Sequence, residues 1–216
     1  VAECRRIGIP VLPPDINESF AQFELIKGKA DAKSEADSGA KKEDVAEKST
    51  EEQTKKDRIR FGLVTIKNFG QGAADAIIKE RTAGGPFKSL ANFLDRVSDK
   101  GVNKKALEAL IMSGALDMLG ERGSMLGNIE TFLVYAKDRA KQNKNQDSLF
   151  GLMPNADSLP KFKMVDMPPT PTKQKLAWEK ELLGLYISGH PLDPYREAIA
   201  KNNLNIAKIK GKKKQW

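Results

Sequence analysis

Cysteine and histidine are almost missing from this chain. Cys4 is the one cysteine and His190 the one histidine. That excludes an internal disulfide, a cysteine-rich zinc site and a histidine metal cluster. A Ser-His-Asp arrangement has equally little to build on. His190 lies between Gly189 and Pro191, a turn setting, and is read as structural, as is Cys4. No apolar run approaches the ~18 residues of a membrane span. The start carries neither the basic nor the apolar region of a secretory signal. A soluble protein with no membrane partner is expected, and the single cysteine fits a reducing compartment. The chain starts at Val1 rather than Met and is read as a segment of a longer one.

What is plentiful is charge. The net charge is +8 over 216 residues. Residues 27–58 hold nine Lys/Arg and nine Asp/Glu, so they contribute nothing to it. The positive excess therefore belongs to the rest of the chain, which suits a polyanion partner. Within 27–57 the only apolar residue larger than Ala is Val45. Such a stretch cannot bury enough surface to offset chain entropy. It reads as a flexible charged insertion joining two strands, "FELI" and "RIRFGL".

The remainder reads as mainly α with a few short strands. Three prolines make "IGIPVLPPDIN" extended and turn-rich. Ala73, Ala74, Ile77 and Ile78 form a helical stripe. Ser89 is placed to cap a helix carrying Leu90, Phe93, Leu94 and Val97. Asn103 caps the next, with Gly114 at its end. Leu126, Ile129, Phe132, Leu133 and Ala136 predict one longer helix, closed by Lys137, Arg139, Lys141 and Lys144. Residues 152–172 are Pro-rich and read as a linker; "KLAWEKELLGLY" predicts a helix, and "LYISGHPLDPY" a strand or turn.

Two stretches carry chemistry. In "IKNFGQGAADAII" the order is Ile66, two residues, Phe69, Gly70, Gln71, Gly72, Ala73. Two glycines one residue apart allow a tight turn that a ligand can approach closely. The helix that follows points free N–H groups at the same place, which favours an anion. The spacing resembles the helix-hairpin-helix motif, which holds a nucleic-acid backbone phosphate whatever the base sequence. Lys67, Asn68, Gln71, Lys79 and Arg81 are candidates for added side-chain contacts. "NKKALEALIMSGALDML" (103–119) reads as a degenerate second hairpin. "AGGPFKSL" is no P-loop, because Phe87 stands where that loop needs Gly.

The second stretch is Gln146-Asp147-Ser148-Leu149-Phe150. Two large apolar side chains in a polar loop are costly unless something covers them. The glutamine offers a donor and an acceptor, and the Leu149–Phe150 pair can fill one apolar pocket. The pentapeptide resembles the one by which bacterial proteins hold the DNA sliding clamp.

With "ECRRIGIPVLPPDIN", "IRFGLVTIKNFGQGAADAII", "GPFKSLANFLDRV", "QDSLFG" and "WEKELLGLYISGHPLD" in that order, the chain resembles the alpha subunit of bacterial DNA polymerase III in its DnaE-type form. The resemblance implies an organisation. Residues 1–26 would be the end of the fingers, 59–151 the helix-hairpin-helix and clamp-binding domain, and 173–216 a helix and the start of a truncated OB-fold domain. It implies duplex DNA, the clamp (the beta subunit) and other holoenzyme subunits as partners, in the bacterial cytoplasm. The palm, with its catalytic carboxylates and Mg2+, would lie upstream, so no catalytic, metal or cofactor residue is expected here. Three other readings are a helix-hairpin-helix repair-protein fragment, a non-catalytic clamp adaptor, and a domain whose QDSLF packs inward.

Overall fold

Two short strands flank the charged insertion in sequence, and the computed structural model pairs them. It describes residues 2–27, 57–97, 102–145 and 164–201. Most of the insertion (28–56), Gln146–Phe150, residues 151–163 of the expected linker and the C-terminal 202–216 lie outside them. After α1 (Ala2–Arg6) come β1 (Val11–Leu12), β2 (Glu24–Ile26) and β3 (Arg58–Arg60). The sheet order is β1-β3-β2. β2 runs antiparallel to β3 with Leu25 opposite Ile59, and β1 runs parallel to β3 with Val11 opposite Ile59. The connection between β1 and β2 enters the core. Ile16 and Ser19 are buried, and the Ser19 hydroxyl donates to the Phe61 carbonyl at 2.7 Å.

The helices form where their caps and stripes predict them. A 3-10 turn (Leu63–Thr65) precedes α2 (Gln71–Gly84), which buries Ala73, Ala74 and Ile77. The Ser89 hydroxyl accepts the Asn92 N–H at 3.1 Å and opens α3 (Leu90–Val97). α3 buries Leu90, Phe93, Leu94 and Val97, a single face at helical spacing. The Asn103 side chain accepts the Ala106 N–H and starts α4 (Lys104–Ser113). Gly114 ends it at φ 86°, the left-handed region that favours glycine.

The single longer helix expected over 126–136 is two. α5 (Arg122–Gly127) stops at Asn128, and α6 runs from Ile129 to Asn145. Asn128 interrupts them because its side chain has partners off the helix axis. It donates to the Ser124 and Val165 carbonyls and accepts the Val165 N–H. Arg139, expected at a helix end, donates instead to Asp95 at 2.6 Å.

Residues 164–171, expected within a linker, run along α5. Besides Asn128, Glu121 holds them by accepting the Thr170 N–H at 2.9 Å. α7 (Thr172–Leu182) follows and adds Leu182 and its neighbour Leu183 to the same core as Phe93, Leu110 and Phe132. The helix expected to lead into a following domain is thus packed on this one. Beyond it the 186–195 loop turns through a 3-10 segment (Asp193–Tyr195) into α8 (Arg196–Lys201).

Glu121 makes the strap acid-sensitive. Burial pushes its carboxyl up, but the Thr170 and Ser124 N–H groups, Lys175 and the Gly123 N–H outweigh that and bring it down to about 2. The folded value lies below the ordinary 4.5. Its contribution is therefore present above pH 4.5 and is lost as the pH falls toward about 2. The Thr170 amide resonance should shift toward a solvated position over that window, and not in Glu121→Gln. An amide that does not move between pH 6 and 2 would count against this.

Candidate nucleic-acid interface

The hairpin is built on two apolar anchors. Ile66 and Phe69 are buried, and the Phe69 N–H donates to the Ile66 carbonyl at 3.1 Å. Between them the Lys67 N–H donates to the Leu182 carbonyl at 2.9 Å. The C-terminal end of α7 therefore braces the turn from behind. Asn68 carries the left-handed conformation, at φ 68°. Asparagine tolerates that region better than other residues with a side chain.

The turn does not depend on its glycines for φ. Gly70 is extended, at φ −91° and ψ 159°, and no side chain caps α2 at this position. A Cβ built on Gly70 or on Gly72 would meet nothing within 4 Å. Neither backbone strain nor internal crowding explains these two residues. Gly72 even weakens a helical first turn, by roughly 0.5–1 kcal/mol relative to Ala. What the pair does create is bare backbone in front of an uncapped helix N-terminus.

The candidate side chains divide into three groups. Lys67, Asn68 and Gln71 are exposed at the turn, and Gln71 donates to Asp75 at 2.7 Å. Lys79 is exposed on α2, about 12 Å along the axis from Gln71. That separation puts it out of reach of an anion bound at the hairpin mouth. Phe69 and Ala73 are buried and hold the hairpin in place. Arg81 is engaged elsewhere. Its guanidinium donates to the Ile16 and Ser19 carbonyls at 2.7 and 2.9 Å and lies 5.2 Å from the Phe20 ring centroid. Burial pulls its pKa down from the ordinary value. It ties α2 to the β1–β2 connection, and nothing local in the sequence announces acceptors more than sixty positions back.

The second hairpin, 103–119, is closed. Arg122 fills its turn, pairing with both Asp117 oxygens at 2.8 and 2.7 Å and donating to the Met112 carbonyl. A Cβ on Gly114 would strike the Arg122 guanidinium. Only the first hairpin leaves its backbone open to a ligand.

Residues 8–125 match the family described as helix-hairpin-helix motif. The chain belongs to the helix-hairpin-helix family. Beyond the motif it is similar over most of its length to DNA polymerase III alpha subunits. It is 36% identical over 195 residues to that of Thermus aquaticus, covering 90% of this chain and 13% of the relative. Against that of Borreliella burgdorferi it is 36% identical over 210 residues, 95% of this chain and 16% of the relative. Against that of Vibrio cholerae it is 34% identical over 203 residues, 93% of this chain and 15% of the relative. The chain fits a fragment of a DnaE-type alpha subunit and spans only a small part of these curated relatives. No helix among the described residues is long and apolar enough to cross a membrane.

Proposed function

We propose that this helix-hairpin-helix segment holds duplex DNA by its backbone phosphates within a replicative DNA polymerase, and binds the sliding clamp through Gln146–Phe150. One observation carries the DNA half: the N-terminus of α2 is uncapped behind two glycines that the fold itself does not need. Backbone N–H groups at a helix N-terminus bind an anion without reading a base. Lys67 and Asn68 stand at the same turn. The clamp half is supported by the QDSLF sequence and by the similarity to DNA polymerase III alpha subunits.

The two contacts would work together. A clamp that encircles DNA brings the hairpin near the same duplex, so two weak contacts act at high effective concentration. The segment then confers processivity, while the polymerase chemistry belongs to parts of the subunit outside it.

Gly70→Asp tests the hairpin with opposite signs. An aspartate here caps α2, so stability should stay level or rise by a few tenths of a kcal/mol. The same carboxylate occupies the free N–H groups and repels phosphate. Duplex affinity, read by fluorescence anisotropy, should fall about 10- to 100-fold. In the unsubstituted chain, log affinity should fall with log salt at a slope of about −2 to −3, the sign of two or three phosphates. Equal duplex binding by Gly70→Asp, or a marked base-sequence preference, would sink the reading.

A further inference from the structure

The brace behind the hairpin depends on how α7 ends. The last carbonyls of a helix have no partner within it and need one elsewhere. At the end of α4 the following residues supply it. The Gly114 and Ala115 N–H groups donate to the Ile111 and Leu110 carbonyls at 3.1 and 3.0 Å. α7 ends differently, since the Leu182 carbonyl goes to the Lys67 N–H of the hairpin.

Gly184 shapes that ending. Leu183 keeps a near-helical backbone, at φ −104° and ψ −11°, and its N–H donates to the Glu179 carbonyl at 2.8 Å. Gly184 then takes φ 75°, in the left-handed region. The chain leaves the helix axis there and comes back, so that the Ile187 and Ser188 N–H groups reach the Glu179 carboxylate. The Lys180 ammonium closes the turn by donating to the Gly184 carbonyl at 2.9 Å. Leu182 and Leu183 lie in the same core as Ile66 and Phe69, which keeps the helix end beside the hairpin.

What glycine supplies here is a backbone angle and not space. A Cβ on Gly184 would meet nothing within 4 Å. Side chains are disfavoured by φ alone, and to different degrees. Asparagine tolerates the left-handed region, and a β-branched residue does not.

We propose that Gly184 is a positioning residue for the phosphate contact. Its left-handed turn ends α7 so that the Leu182 carbonyl fixes the Lys67 peptide, and with it the open backbone of residues 70–72. The proposal rests on reading the hairpin as the duplex contact. Two N–H groups of the turn are committed inward, that of Lys67 to Leu182 and that of Phe69 to Ile66. A turn held at both has less freedom to lose when an anion binds.

The test compares Gly184→Val with Gly184→Asn in the 216-residue chain. Valine cannot keep this angle without strain, so the end of α7 should rearrange and release Lys67. The Lys67 amide should then exchange its hydrogen about 5- to 10-fold faster, measured against the Ala106 amide that Asn103 holds. Duplex affinity, read by anisotropy, should fall about 3- to 10-fold, the worth of one net hydrogen bond. Gly184→Asn should match the unsubstituted chain in both measurements. Gly70→Asp should show the opposite split, with duplex affinity lost and the Lys67 amide still protected. If Gly184→Val does not fold, Gly184→Ala, with less strain, reads the same pair of quantities. Normal duplex binding with Lys67 released overturns the proposal and leaves the hairpin reading standing, whereas normal binding by Gly70→Asp overturns both. A Lys67 amide that stays protected in Gly184→Val overturns it as well. So do equal losses in the valine and asparagine variants, which would make Gly184 a point of close DNA approach.

Discussion

Replacing Glu179 by leucine is expected to destabilise the fold by about 3–5 kcal/mol, the range for breaking a buried charged network. Glu179 is 1% exposed. It accepts the Ile187 and Ser188 N–H groups at 3.0 and 3.1 Å and the Ser188 hydroxyl at 2.7 Å. The Arg122 guanidinium lies 3.6 Å away, its side chain 4% exposed. Burial alone would pull the Arg122 pKa down, but Asp117 and Glu179 outweigh it and leave it raised. Leucine fills much of the same volume but accepts nothing. Two part-buried N–H groups and a hydroxyl lose their partner, and Arg122 keeps only Asp117 and the Met112 carbonyl. Glu179→Gln retains an acceptor and should cost less than half as much. Urea denaturation followed by circular dichroism reads both. A loss below about 1 kcal/mol in Glu179→Leu would mean that water replaces the carboxylate. The consequence reaches the hairpin, because α7 also supplies the Leu182 carbonyl that braces Lys67. Duplex binding should therefore weaken in Glu179→Leu even where the chain remains folded.

Changing Leu149 and Phe150 together to alanine is expected to abolish clamp binding. Each side chain buried in a partner contributes about 1.5–3 kcal/mol, so losing both lowers affinity by well over 100-fold. Gln146 should orient the peptide, with Asp147 and Ser148 facing water. Surface plasmon resonance on immobilised clamp gives the affinity, and a thermal melt of the same protein gives the fold. Clamp binding should be weak without DNA and stronger with DNA threaded through the ring, and Gly70→Asp should remove that gain while sparing the DNA-free affinity. Normal clamp affinity in the double variant, or a domain that unfolds with it, would make QDSLF a packing element and end the clamp reading.

Much of the local architecture was legible because its signals act over three or four residues. Ser89 and Asn103 each bond a backbone N–H three positions on, so the cap and the helix are neighbours in sequence. Gly114 takes the left-handed conformation wherever the rest of the chain goes. The strands β2 and β3 showed as apolar runs on either side of a stretch too polar to bury, and the structure pairs them. The hairpin was legible by its spacing, though the reason given for its glycines was not. Asn68 makes the turn, and the glycines leave bare backbone.

The sequence by itself determined the helical class, the caps, the hairpin and the strand pair, because each rests on period or on contacts within a few residues. Only the tertiary structure decided what the long side chains do. Arg81 looked like a phosphate ligand until Ile16 and Ser19 were found to claim it from more than sixty positions away. Arg122 and Glu179 stand on separate elements, and α7 folds back to bury both, 3.6 Å apart. Asn128 divides a continuous apolar stripe because Val165 returns beside it. A guanidinium or carboxylate pairs with whatever the chain's return places beside it, and no spacing along the sequence encodes that return.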